Sequence, residues 1–417
     1  MRSVWPLFVF VVTVVFVSQS AAQVTIDRPS VAGVPDYNVK LGEAYFDFAA
    51  LFGVGWDSNR DESADGAGSA FTLTGMLANF TWMPTVDVVV VTNVEAKYIH
   101  YFEDSEQSGW RIGGADGAAS VRVDLMLDDH VVTVRGTVSS TVADVRVQNS
   151  NENQDSGNYE ELAYSLGVAS VRALTPTVDS RLGYTYRENQ SIGGNDSDVG
   201  SNLDRTEHEI EFSLSAQLNQ FLSVRSFIES TLILNQNSDR DDLTRYSTGV
   251  SVKKMTAHGA LLSVLLGVDY TDSQGNGGSE DPTGFSPRVE CAVAFLSRNG
   301  MKHRMSASLR QEPSNVVAGA PDQRVLATQQ TTSFDYGLGI PLSPDLSIRL
   351  GQGVSYVSDE GDVGNEARYR ALFETSYQLT ERLSGRLRYQ YTNVFDTGGG
   401  GVGYDRNFVE ISCVYNF

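Results

Sequence analysis

Residues 209–218 read Glu-Ile-Glu-Phe-Ser-Leu-Ser-Ala-Gln-Leu, so that polar and apolar side chains alternate without a break. Side chains on a β-strand point in turn to its two faces, and this stretch therefore predicts a strand with one polar and one apolar face. We expect Glu209, Glu211 and Ser213 to face water. Strands of soluble β-sandwiches are usually about five or six residues long, whereas this stretch is long enough to cross a bilayer as a barrel strand.

Similar alternating segments recur along the chain, for example in residues 86–98 and 383–392. We count eighteen of them between residues 43 and 417, or sixteen if one hairpin is misassigned. A membrane-spanning helix needs about 20 apolar residues, and no such run follows residue 23. The sequence thus predicts an all-β fold, a transmembrane antiparallel up-and-down β-barrel of about 18 strands.

The connections between these segments are of two kinds, which alternate. Nine are long and rich in Gly, Asn and Asp, such as 102–118 and 189–205, and the others are tight turns such as 83–85 and 380–382. Outer-membrane barrels combine short periplasmic turns with longer extracellular loops. We therefore expect both ends of the barrel domain on the periplasmic side.

The N-terminal residues 1–22 have the pattern of a secretory signal peptide. A basic start at Arg2 precedes a 14-residue apolar run from Val4 to Val17, and small residues stand before a cleavage site at Gln23. We predict a signal peptide at 1–22, a short periplasmic N-terminal segment at 23–42 and a transmembrane β-barrel at 43–417. The expected location is the outer membrane.

Composition excludes several classes of protein. The chain has 31 basic and 52 acidic residues, a formal charge of −21, and this balance argues against a nucleic-acid partner. Two cysteines cannot support a disulfide-rich scaffold. The five histidines are scattered without metal-binding spacing, and we expect neither a metal nor a cofactor.

Aromatic residues gather near the ends of the predicted strands. Amphipathic rings settle at the headgroup level of a membrane, so this distribution predicts two girdles around the barrel. At the long-loop end the girdle comprises Trp56, Tyr98, Tyr159, Tyr186, Tyr246, Tyr270, Tyr356, Tyr391 and Tyr404, and at the other end Trp82, Phe295, Tyr415 and Phe417.

The last nine residues, Val409 to Phe417, place apolar side chains at alternate positions back from the terminal Phe417. This pattern resembles the C-terminal signal strand of bacterial outer-membrane proteins. The resemblance implies that the barrel assembly machinery is a partner and that Tyr415 and Phe417 form the assembly signal.

The first predicted strand begins Leu-Gly-Glu-Ala-Tyr-Phe-Asp-Phe at residues 41–48 and reaches Trp56-Asp57-Ser58-Asn59. It is similar to the opening of the β-barrel porin 2 group of bacterial outer-membrane proteins. This resemblance implies a barrel surrounded by outer-membrane lipid, and it does not specify a substrate or an oligomeric state.

Charged residues on the predicted inner face are unevenly distributed along the chain. Residues 23–218 contain 12 basic and 30 acidic residues, whereas residues 219–417 contain 18 and 22. We predict that a basic set faces an acidic set across the lumen, and that Arg368, Arg370, Arg386 and Arg388 form one patch. The basic set is Arg304, Arg310, Arg349, Arg368, Arg370, Arg386, Arg388 and Arg406, and the acidic set is Asp124, Glu161, Asp179, Glu209, Glu211 and Glu229.

Barrels of 16 to 18 strands enclose an aqueous channel. The sequence therefore predicts a porin-like channel without enzymatic activity, for passive diffusion of small hydrophilic solutes or ions. Two alternatives stay open: a structural or adhesive barrel with acidic cation-binding loops, and an outer-membrane barrel hydrolase. For the first alternative, Asp57, Asn59, Asp61 and Asp65 place oxygen atoms at alternate positions, although they lack the Gly and the Glu of a calcium loop.

Overall fold

The computed structural model describes residues 39–59, 68–103, 108–113, 119–128, 130–148, 156–193, 204–236, 242–256, 259–274, 284–313, 316–318, 328–358, 365–396 and 403–417. The predicted signal peptide, its cleavage site at Gln23 and most of segment 23–42 lie outside these ranges, as do Asp61 and Asp65. Within the described ranges no helix has the length and hydropathy of a membrane span.

Extended strands account for nearly all of the described residues. The first eleven are β1 (Val39–Leu41), β2 (Ala44–Asp57), β3 (Ser69–Thr85), β4 (Val88–Tyr101), β5 (Gly109–Gly113), β6 (Ala119–Met126), β7 (His130–Gln148), β8 (Ser156–Thr175), β9 (Val178–Gly193), β10 (Arg205–Asn219) and β11 (Leu222–Asn235). The others are β12 (Asp242–Met255), β13 (Leu261–Gln274), β14 (Gly284–Leu296), β15 (Lys302–Pro313), β16 (Val316–Ala318), β17 (Thr328–Pro341), β18 (Leu346–Ser358), β19 (Glu366–Gln378), β20 (Leu383–Asp396) and β21 (Tyr404–Asn416).

Eighteen of these strands form a closed antiparallel barrel, and the three short strands β1, β5 and β16 are additions to it. Each barrel strand pairs with the next one along the chain, from β2 to β21. The barrel closes because β2 also pairs with β21, from Ala49 opposite Asn416 to Asp57 opposite Phe408. The predicted fold class and strand number are confirmed.

The outer wall of the barrel is apolar. Along β10, for instance, Ile210, Phe212 and Leu214 are exposed to the outside, whereas Glu209 and Glu211 face the lumen. Large apolar side chains are exposed on all sides of the barrel. Contact of such a surface with water is unfavourable, whereas contact with the hydrocarbon of a bilayer is favourable.

The two ends of the barrel differ in the way that strands are connected. Hairpins at one end are tight, as at Thr175 to Val178 and Asn219 to Leu222. At the other end the predicted long loops fall largely outside the described residues. The predicted alternation of tight turns with longer connections is present in the strand order.

Aromatic rings form contacts around the long-loop end of the outer wall. Tyr246, Tyr270 and Phe285 form one chain of rings, with centroids 6.5 Å and 4.9 Å apart, on three successive strands. Tyr404 is an exception to the predicted girdle because it is buried and, by its register opposite Val394, faces the lumen. The side chain of Tyr159 lies outside the described residues.

Part of the inner wall is apolar, which the sequence analysis did not anticipate. Leu51, Phe71, Leu73 and Tyr101 are buried together on the inner face of β2, β3 and β4, and the Phe71 ring stacks on Phe408 with centroids 5.2 Å apart. We call these residues the apolar lining. It fills one side of the lumen with side chains and narrows the space left for water.

Candidate functional site: the charged inner wall

The strand register places every residue of the predicted basic and acidic sets on the inner face. Residues directly opposite each other on paired strands lie on the same face of the sheet. Arg370 on β19 lies opposite Gly353 on β18, which lies opposite Asp335 on β17, and all three face inward. Placement on the inner face is a fact of the fold, whereas a role of these side chains in conduction stays a prediction.

The four arginines predicted to form one patch are divided into two groups. On β19 and β20, Arg370 lies opposite Thr392, whereas Arg388 lies opposite Glu374, four residues further along the strand. At about 3.4 Å per residue, this offset separates the Cα atoms of Arg370 and Arg388 by roughly 14 Å. The prediction of a single patch was therefore wrong, because residues on two antiparallel strands share a height only when they are equally far from the turn.

Half of the basic set is neutralised by carboxylates on the same wall. Each of the four pairs joins an arginine to a carboxylate on its own strand or on the next strand of the barrel. They are Arg349–Glu374 at 3.4 Å, Arg368–Glu366 at 3.2 Å, Arg386–Glu410 at 2.8 Å and Arg406–Asp57 at 2.6 Å. The wall is thus less basic than a count of its arginines suggests.

Four of the six residues of the acidic set, Asp124, Glu209, Glu211 and Glu229, are also paired with arginines on the same wall. Arg187 bridges Glu207 and Glu209 at 3.5 Å and 3.4 Å. Glu229 lies between Arg245 at 3.7 Å and Arg288 at 3.6 Å. Further pairs are Arg225 with Glu211, Arg205 with Glu207 at 2.9 Å, Arg288 with Glu290 at 3.2 Å, and Arg122 with Asp124 at 2.9 Å.

Arginine side chains also pack on an aromatic ring within this network. The guanidinium carbons of Arg225 and Arg288 lie 5.9 Å and 5.4 Å from the ring centroid of buried Phe227. Cation–π contacts add an attraction to that of the ion pairs. The inner face of β9 to β14 is therefore a nearly neutral network in which most charged side chains are paired.

The end of β15 nearest the long loops stays paired with β17 as far as Pro313 but separates from β14. Its pairing with β14 stops at Leu309, and two residues later Gln311 accepts hydrogen bonds from Thr271 at 2.7 Å and Ser286 at 3.1 Å through its side chain. The Gln311 carbonyl accepts a further bond from Arg245 on β12 at 3.2 Å. These partners lie on β14, β13 and β12, one to three strands away, so the end of β15 leans inward over β14.

The segment that follows β15 continues this inward path. Residues 316–318 form β16, which pairs in parallel with residues 146–148 of β7. In the order of the barrel strands, β7 and β15 are eight positions apart in one direction and ten in the other. β16 therefore lies against the wall that is nearly opposite β15, near the long-loop end.

Several charged side chains on the inner wall stand apart from the ion pairs. Arg304, Arg370 and Asp335, like Asp179 and Arg181, are exposed to the lumen, and among the described residues none of the five has an ion-pair or hydrogen-bond partner. Because their charges are not cancelled at close range, they are the groups best placed to act on a passing solute.

The cation-binding arrangement considered for the first long loop is not formed by the residues described. The Asp57 carboxylate is fully buried and accepts two hydrogen bonds from Arg406, at 2.9 Å and 2.6 Å. Among the described residues, no three His, Cys, Asp or Glu side chains are grouped to hold a metal ion.

The fold defines a barrel of the size that encloses an aqueous channel. Neither protein-family profiles nor curated protein sequences match the chain. Solved structures of similar fold include outer membrane protein OpdK from Pseudomonas aeruginosa, with 12% identity, a TM-score of 0.49, and 91% of this chain and 100% of that chain covered. A BenF-like porin from Pseudomonas fluorescens Pf-5 has 11% identity, a TM-score of 0.49 and coverage of 90% and 100%. Pseudomonas aeruginosa OccK2 (OpdF) has 10% identity, a TM-score of 0.49 and coverage of 89% and 98%.

Proposed function

We propose that this protein is an outer-membrane channel for passive diffusion of small hydrophilic solutes or ions. The observation that carries the proposal is a closed barrel of eighteen strands whose outer face is apolar and whose inner face is lined with charges. Barrels of this size leave room for water, unlike barrels of about eight strands, which their own side chains fill. The apolar lining and β16 reduce that room, so we expect a narrow channel.

Reconstitution of the purified barrel into a lipid bilayer, without other proteins, tests this function. Purified barrel added to a planar bilayer should produce stepwise increases of current, and liposomes containing it should swell in small neutral osmolytes. A refolded barrel that gives neither steps nor swelling would contradict the proposal and favour the structural or adhesive alternative.

One contact bears on the hydrolase alternative. Ser108 Oγ lies 3.3 Å from Nδ1 of His100, at the exposed end of β4. The same hydroxyl oxygen accepts the backbone N–H of Tyr101 at 2.9 Å, and among the described residues no carboxylate or amide orients the His100 ring. A nucleophilic serine needs a base that a third group holds in place, so this pair alone supports no hydrolytic mechanism.

A further inference from the structure

A cavity of about 290 Å³ opens into the lumen between β17, β18 and β19. At about 30 Å³ per water, this volume corresponds to roughly ten water molecules, which suits a small solute. Hydroxyl groups of Thr331, Ser333 and Ser355 line one part of it, charged side chains line another, and Gln329, Val354 and Val357 also contribute. The cavity lies in the half of these strands that is nearest to the long loops, on the path of an incoming solute.

Two opposite charges face each other across this cavity without forming an ion pair. Asp335, Gly353 and Arg370 lie in one cross-strand row, so the Cα atoms of Asp335 and Arg370 are about two strand spacings, or roughly 10 Å, apart. An arginine side chain is long enough to close that distance. Among the described residues, however, neither group has a salt bridge or a hydrogen bond.

The glycine between them allows the carboxylate to lean into the cavity. A Cβ atom placed on Gly353 would lie 2.6 Å from Oδ1 of Asp335, a distance that real Cβ atoms do not adopt. The Asp335 carboxylate therefore lies above the backbone of β18 and points toward Arg370. The neighbouring Arg368 is paired with Glu366 at 3.2 Å, so the local field is dominated by Asp335 and Arg370.

We propose that this cavity binds small zwitterions of the amino-acid type. The carboxylate of the solute accepts hydrogen bonds from Arg370, its ammonium group donates to Asp335, and its polar substituents meet the hydroxyl groups. A solute with both charges satisfies both side chains at once, whereas an anion or a cation satisfies one and is repelled by the other. A channel subsite must also release its solute, and exposure of both groups to water keeps binding weak.

This assignment names a solute class for the proposed channel, and its biological meaning rests on that function. Binding itself is measured on the detergent-solubilised full-length barrel by saturation-transfer NMR, which does not require conduction. The probes are L-alanine, propionate, which lacks the ammonium group, and isopropylammonium, which lacks the carboxylate. We expect saturable binding of alanine that is at least several-fold tighter than that of the other two.

Two substitutions give opposite signatures. Arg370→Gln should weaken binding of alanine and propionate but not of isopropylammonium, and Asp335→Asn should weaken binding of alanine and isopropylammonium but not of propionate. For alanine we expect about a tenfold loss in each case, the lower end for a hydrogen bond to a charged group. Arg298→Gln, in an exposed turn outside the lumen, removes the same charge and should leave alanine binding unchanged.

Three results would overturn the assignment: no preference for alanine over propionate, less than a twofold effect of both substitutions, or an equal effect of Arg298→Gln. Both cavity residues are exposed, so the variants should fold, and unchanged heat-modifiable mobility on gels confirms this. Saturable, variant-sensitive binding by a barrel that conducts no current would disprove the proposed channel and retain the site. A barrel that conducts current but shows no such binding would disprove the site and retain the proposed channel.

Discussion

Arg406 and Asp57 join the last and the first strand of the barrel through two parallel hydrogen bonds. Nε of Arg406 lies 2.9 Å from Oδ1 of Asp57, and Nη2 lies 2.6 Å from Oδ2. The aspartate is completely buried and also accepts the backbone N–H of Asn59 at 3.3 Å. This fork-to-fork pair fixes the register of β21 on β2, at the one junction that no hairpin connects.

Asp57→Asn should weaken this closing junction. The substitution leaves the Arg406 guanidinium without its counter-charge, at a cost of about 3 kcal/mol, the low end for a broken buried pair because Arg406 can partly rehydrate. The variant should lose its compact form on gels at a lower temperature than the wild type. Asp87→Asn, in an exposed turn, is the matched control. Equal melting of the two variants would show that the pair does not hold the barrel closed.

The strand number and the inward and outward faces were predictable because a period of two is a local property of the sequence. Ile210 and Glu211 are assigned to opposite faces by adjacent positions alone. The ion pairs were not predictable, since the pairing of Arg406 with Asp57 joins residues 349 positions apart. Glu229 likewise needs the register of three neighbouring strands before Arg245 and Arg288 can be recognised as its partners.

Packing inside the lumen also depends on neighbours across strands. The Phe71 ring can pack over β2 because Gly55, opposite it, has no side chain: a Cβ at Gly55 would be 2.3 Å from the ring. Ser213 was expected to face water, yet it is 1% exposed and donates a hydrogen bond to Glu211 at 3.1 Å. Alternation identifies the face of a residue, but not whether water reaches it.

Two adjacent leucines on β13 test which wall faces lipid. Leu266 is 59% exposed on the outer face, whereas Leu265 faces the lumen in the same row as Glu290. Leu266→Arg places a cation in the hydrocarbon near the middle of the strand, at a cost of about 2–4 kcal/mol. Leu265→Arg introduces the same side chain where water and a carboxylate are within reach.

Folding into lipid vesicles, followed by urea titration of the folded fraction, compares these variants. We expect Leu266→Arg to lower the free energy of unfolding by the stated amount, and Leu265→Arg to change it by much less. Similar losses in both variants would mean that the outer face of β13 is not in contact with hydrocarbon.

The terminal Phe417 is expected to govern assembly more than final stability. Its backbone N–H donates to the carbonyl of Phe48 at 3.2 Å, while its ring is 58% exposed and contacts Tyr415 with centroids 5.4 Å apart. Phe417→Ala keeps the backbone bond and removes the exposed ring that we propose the assembly machinery recognises. Accumulation of heat-modifiable barrel in cells should slow several-fold, whereas unassisted folding into vesicles should be nearly unchanged. The control is Phe395→Ala, which removes an equally exposed ring elsewhere.

The division of the arginines into paired and unpaired groups predicts how charge controls ion selectivity. The total charge of −21 favours cations, but many acidic residues lie in the long loops, where salt screens a charge within about 8 Å. We therefore expect a weak preference for cations in the native channel. Unpaired Arg304 and Arg370 oppose that preference, whereas Arg386 and Glu410, 2.8 Å apart, cancel each other.

Two double variants separate these contributions. Arg304→Gln with Arg370→Gln removes two uncompensated positive charges and should move the reversal potential in a salt gradient toward stronger cation preference. Arg386→Gln with Glu410→Gln removes one charge of each sign and should leave the reversal potential nearly unchanged. The shift in the first variant should shrink near 1 M salt, where the screening length falls to about 3 Å. Equal shifts in the two variants, or no shift in the first, would show that the unpaired arginines lie outside the conducting path even though they face the lumen.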